Sequence, residues 1–151
     1  MPKYFKGEID MKRSARHSEL EGAVIVQVTV NDDDELYLLT SEGLEYKFYH
    51  SQECCESWGI EKQEGDWSDL LYTPILNAEE RVVDLSHEEG ADDLCEAYFY
   101  TFTTKKGTVQ IVWRGESNGY YSVATDISVA DIGFAGMCRR ISEGRIDTPK
   151  E

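Results

Sequence analysis

In two stretches of this chain apolar side chains recur at every second residue, a period that fits pleated strands and not helices. Val24, Val26, Val28 and Val30 share one side of the first run. Leu44, Tyr46, Phe48 and His50 share one side of a later run, with Glu45, Lys47 and Tyr49 opposite. Between them residues 36–39 form a return strand, bounded by the turn residues Asn31-Asp32-Asp33-Asp34-Glu35 and Ser41-Glu42-Gly43. An antiparallel meander follows. In the second stretch Tyr98, Tyr100 and Phe102 alternate, and Lys105-Lys106-Gly107 supplies a hairpin turn. Val109, Ile111 and Trp113 answer them across the ladder. After the turn signal Asn118-Gly119, Tyr121, Val123, Thr125, Ile127 and Val129 alternate again.

The remaining segments lack this period. Residues 1–20 read as a basic arm or short helix. Residues 51–70 break the alternation: Ser51 suits a helix N-cap, and Gly59 and Gly65 limit any helix, so a loop with one or two helical turns is expected. Residues 75–83 fit a strand or a short helix, and residues 84–93 an acidic surface loop. Residues 136–151 read as a short helix with Arg139, Arg140 and Arg145, followed by a polar tail. The expected fold is α+β and strand-rich, with antiparallel sheets of six to seven strands and two or three short helices. A chain of 151 residues holds this in one domain, with the core in residues 20–135.

No run approaches the roughly 18 apolar residues of a membrane span, and the N-terminus has no apolar leader core, so a cytosolic protein with no membrane contact is expected. Cys54 and Cys55 are adjacent while Cys95 and Cys138 stand alone, a poor basis for a disulfide framework. Without Cys-x-x-Cys spacing no zinc site is expected, and no cofactor or other metal either.

Charge is distributed unevenly. Residues 18–100 hold 22 acidic residues against Lys47, Lys62 and Arg81, a net of −19 within a chain of net −15. Residues 1–17 are net +3 and residues 101–151 net +1. Such a field repels nucleic acid and attracts basic surfaces, and it also favours solubility. On a β scaffold the negative potential is expected to gather over one side.

Two stretches carry the candidate site residues. His50, Glu53, Cys54, Cys55, Glu56 and Trp58 lie where a strand gives way to a loop, the place where functional groups collect on a rigid scaffold. Trp113, Arg114, Glu116, Asn118, Tyr120 and Tyr121 surround a tight turn, a set suited to stacking on a flat ligand or anchoring an interface. Glu53 and Glu56 would raise a neighbouring thiol's pKa, which disfavours thiolate chemistry. No Gly-x-Ser-x-Gly or phosphate loop is present, so an enzyme is not the favoured reading and no catalytic residue is assigned.

Four segments together resemble an uncharacterised domain family of phages and prophages. They are Tyr49-His50-Ser51-Gln52-Glu53-Cys54-Cys55-Glu56, Gly65-Asp66-Trp67-Ser68-Asp69-Leu70-Leu71, Pro74-Ile75-Leu76-Asn77-Ala78-Glu79-Glu80 and Ser117-Asn118-Gly119-Tyr120-Tyr121-Ser122. The resemblance spans about residues 20–130 and implies a phage origin without a known activity. Combined with the acidic middle segment, it suggests a phage accessory protein that binds and inhibits a host protein bearing a basic surface, with a nucleic-acid-binding groove as the surface occupied. The alternative is a binder of a small, nucleotide-like ligand that uses both candidate stretches as one pocket.

Overall fold

A computed structural model describes residues 12–51, 56–87, 90, 93–118 and 122–143. Nine strands lie among them: β1 (Arg13–Ser14), β2 (Ile25–Asn31), β3 (Glu35–Thr40), β4 (Leu44–Tyr49), β5 (Glu56–Glu64), β6 (Asn77–Asp84), β7 (Leu94–Thr104), β8 (Gly107–Ser117) and β9 (Asp126–Asp131). One α-helix, α1 (Gly133–Ser142), and two 3-10 turns, His17–Leu20 and Trp67–Leu70, complete the described elements. The strands form two antiparallel sheets, ordered β1-β9-β4-β3-β2 and β5-β8-β7-β6. One hydrophobic core draws residues from both.

The meander and the second hairpin form as the alternation dictates. Phe102, Tyr100 and Tyr98 stand directly across from Val109, Ile111 and Trp113. Thr104 and Gly107 close the hairpin around Lys105-Lys106. The first run is corrected by a β-bulge. The β2–β3 register shifts between Ile25 and Gln27, so Ile25 and Val28 both reach the core although they are three residues apart. The extra residue of a bulge flips the facing of what precedes it. Val24 and Val26 therefore leave the core, and Gln27 is turned to the outer face.

The strand and helix counts also need correcting. Residues 56–64 were expected as loop and helical turns, yet they form β5. Its Trp58 and Ile60 pack on the core, and Gly59 breaks nothing, being paired with Arg114 within the ladder. The two-residue β1 adds the ninth strand by pairing Arg13 with Val129 and Ser14 with Ser128. Among the described residues of 51–70 the helical character is Trp67–Leu70, capped by the Asp66 carboxylate, which accepts from the Ser68 amide at 3.0 Å; the turn expected after Ser51 lies outside the described residues.

Helix α1 packs on the outer face of the first sheet. Gln27, Leu39 and Glu45 form one row there. Gln27 Nε2 donates to the Arg140 carbonyl at 3.1 Å, and the Arg140 guanidinium makes two bonds of 3.0 Å to Glu45. No helix among the described residues is long and apolar enough to cross a membrane.

Carboxylates of the acidic middle segment fall on the β2–β3 turn, on β5, around Trp67–Leu70 and on β6. Since β5 and β6 are opposite edges of the second sheet, carboxylates stand at both of its edges among the described residues.

The sheets are joined by rings. Phe48 of β4 stacks on Trp113 of β8, with centroids 5.7 Å apart and planes 7° from parallel, and Trp113 stacks in turn on Trp58 of β5 at 5.7 Å. Tyr100 and Phe102 meet Phe48 edge-on at 5.2 and 6.0 Å. Such pairs add about 0.5–1.5 kcal/mol each beyond the area they bury. Phe48→Ala is expected to cost about 3–5 kcal/mol in denaturant unfolding; a loss under about 1 kcal/mol would show that this stack does not join the sheets.

Candidate functional site

His50 continues the inward face of β4, and its side chain is only 7 % exposed. Its Nδ1 lies 2.7 Å from the Ala124 carbonyl, which can only accept, so Nδ1 carries the proton and donates. The ring packs on Trp58 at 5.3 Å, and the Asp126 carboxylate lies 4.0 Å from the same nitrogen. His50 thus ties the chain entering β9 to the end of β4.

The candidate residues do not share one face. Trp58 and Trp113 belong to the core stack, while Arg114 and Glu116 alternate onto the outer face of the second sheet, where they pair at 3.1 Å. By strand alternation Trp113 and Arg114 therefore cannot line the same pocket. The structure does bring the two stretches to one end of the sheet. Glu56 stands across from Ser117, Ser57 from Glu116 and Trp58 from Gly115, on adjacent strands. Glu53, Cys54, Cys55, Tyr120 and Tyr121 lie outside the described residues, as does the side chain of Glu56.

Gly115 makes this junction possible. A Cβ there would come within 2.6 Å of Val123 Cβ and 2.7 Å of Trp58 Cδ1. Val123, fully buried, lies on the bare backbone that glycine leaves. Gly115→Ala is expected to destabilise by about 1–3 kcal/mol, measured by thermal or denaturant unfolding; an unchanged midpoint would mean that the packing at this junction is loose.

A cleft of about 370 Å³ opens between the two sheets. The first sheet contributes Tyr49 and residues 125–127, the second Glu80 and Tyr100, and the link from β1 into the first 3-10 turn contributes residues 14–17. Tyr100 forms the floor: its side chain is fully buried, its hydroxyl donates to the Glu80 carboxylate in a short bond, and the His17 ring lies 6.1 Å away. Burial first, then the bond to Glu80 and the charges of Glu80 and Asp126, drive the Tyr100 pKa far above the ordinary tyrosine value. Both carboxylates are thus within electrostatic reach of one hydroxyl. Thr125 Oγ1 is buried with no hydrogen-bond partner among the described residues. Glu80 and Asp126 outnumber the one guanidinium at the cleft, that of Arg16.

Sequence reasoning missed this cleft. Its lining comes from separate stretches, and Tyr100 is on the side of β7 that the alternation assigns to the core. Aromatic walls and carboxylates suit a planar or compact cation. The Tyr49 ring is met by this chain's own Lys47, whose Nζ lies 4.7 Å from its centroid and which shares the outer face of β4 with it. Among the described residues no group of three or more His, Cys, Asp or Glu side chains is arranged to hold a metal ion.

Residues 18–127 match the family described as a domain of unknown function, DUF7448. The chain belongs to this family. The DUF7448 match reaches from the first 3-10 turn into β9, close to the span of the resemblance noted from sequence. It takes in Tyr49, Glu80, Tyr100 and Asp126 of the cleft and leaves out Arg16, His17 and α1. Neither a curated protein nor a solved structure matches the chain.

Tyr98 behaves like Tyr100, its pKa raised by burial and then by its bond to Glu96. A tyrosine that holds its proton more tightly folded than unfolded adds stability fully present below the unfolded value of about 10, and lost as pH climbs above it. In an alkaline titration two tyrosines are expected to ionise only as the protein unfolds, and Tyr100→Phe is expected to flatten the alkaline fall in stability. Ordinary titration of all tyrosines near pH 10 in the folded protein would contradict this.

Proposed function

We propose that this protein is a non-catalytic binding module that docks on the basic surface of a partner protein and takes one of its cationic side chains into the cleft between the sheets. The observation that carries this reading is the way the protein uses its own charges. Arg13, Lys47, Lys62, Arg114 and Arg140 are already held by Glu19, Glu35, Glu64, Glu116 and Glu45. Arg81 lies over the Phe99 ring at 4.3 Å. Asp32, Asp33, Glu61, Asp66, Asp69, Glu79 and Asp84 make no ion pair among the described residues. At the β2–β3 turn the excess is felt locally: burial, then the charges of Glu35, Asp32 and Asp33, hold the Asp34 carboxyl above its usual range.

In the phage or prophage setting that the sequence resemblance implies, the partner is a host protein. This chain would then inhibit it by occupying a surface that otherwise holds nucleic acid. A nucleotide-like ligand has less support, because Glu80 and Asp126 repel phosphate and Arg114 lies on another face.

Calorimetric titration with a short oligo-arginine peptide, at low and moderate salt, tests the reading. Binding is expected to weaken with salt and to fall about tenfold in the Glu80→Gln/Asp126→Asn double variant. No binding, or equal binding by the double variant, would sink it.

A further inference from the structure

Strand β6 is an outer edge of the second sheet and pairs only with β7. Its backbone polarity can be read from its flanks. The Leu85 amide donates to the Cys95 carbonyl at 2.8 Å, which places the odd-numbered amides on the β7 side. The Ala78 amide points the other way and is met by the Glu21 carboxylate at 3.1 Å. By the same alternation the amides of Glu80, Val82 and Asp84 face away from the sheet, and none has a partner among the described residues. Val82 is 46 % exposed.

The two edges of this sheet are treated differently. The β5 edge carries Lys62 and a register shift between Ile60 and Lys62, and the Asp33 carbonyl accepts from its Ile60 amide. Lysines, bulges and covering loops are the devices that keep foreign strands off an edge. The first 3-10 turn and Glu21 cover only the start of β6; the strand has no lysine, proline or bulge, and its register with β7 runs unbroken from Asn77 to Asp84. Its charge is mostly acidic, from Glu79, Glu80 and Asp84, and Arg81 is turned onto Phe99 on the outer face. Glu80, on this edge, also lines the cleft.

We propose that the free edge of β6 receives an extended, lysine- or arginine-bearing segment of the partner, which adds to the second sheet as a fifth strand and sets one basic side chain into the cleft beside Glu80 and Asp126. This rests on the binding role proposed above and names the form the partner presents. Main-chain bonds to residues 80–84 supply affinity, and the acidic border selects the side chains.

The test uses a peptide of alternating threonine and arginine, the same peptide N-methylated at alternate amides, and N-acetylarginine amide as a lone side chain. In the wild-type protein the alternating peptide is expected to slow hydrogen exchange at the amides of Glu80, Val82 and Asp84. Val82→Pro removes only an outward donor, so the amides of Val83 and Leu85 are expected to stay protected while peptide affinity falls about tenfold. N-acetylarginine amide is expected to bind both proteins alike. The N-methylated peptide is expected to bind wild type about as weakly as the plain peptide binds the proline variant, a comparison that does not depend on how that variant folds. Unchanged exchange at residues 80, 82 and 84, or equal affinity of the plain and N-methylated peptides, would overturn strand addition while leaving the cleft reading intact. Failure of every probe to bind wild type would overturn both.

Discussion

The stack of Phe48, Trp113 and Trp58 is the contact on which the rest of the molecule depends. Phe48 comes from the first sheet and the two indoles from the second, so near-parallel rings carry the contact across the interior. The Trp113 indole nitrogen also donates to the Asp34 carbonyl at 3.3 Å, tying the β2–β3 turn to the same residue. His50 follows Phe48 on the same face and lies on Trp58, so the stack ends at the place where β9 begins. The cleft exists because these rings fix how far β4 and β9 stand from β6 and β7.

On that frame charge is arranged economically. Most cations that the middle of the chain possesses are held by its own carboxylates, which leaves a surplus of acid at both edges of the second sheet. At the cleft the surplus meets aromatic walls and a buried tyrosine hydroxyl.

The hairpins were legible in the sequence because half-buried antiparallel strands write their facing into every second residue. Tyr98, Tyr100 and Phe102 paired with Val109, Ile111 and Trp113 as their spacing required. What failed did so for local reasons. The bulge after Ile25 broke the valine face, and no residue pattern announces a one-residue insertion. Strand β5 was hidden because Gly59 and Gly65 read as breakers, although Gly59 lies within the ladder and Gly65, at φ +95°, turns the chain just beyond it. The candidate site was half legible. His50 and Trp58 do lie at a junction of elements, but as packing. The cleft drew on His17, Tyr49, Glu80, Tyr100 and Asp126, which only the pairing of distant strands brings together.

Membership of DUF7448 covers both sheets in large part, and both residues that supply the negative charge of the cleft lie within it. A crystal structure of the protein with a bound arginine-bearing peptide is the most direct measurement of whether that charge is a binding site. A guanidinium seated between Glu80 and Asp126, over the Tyr100 floor, is the result this account requires. A peptide bound on another face, with the cleft holding only solvent, would contradict it.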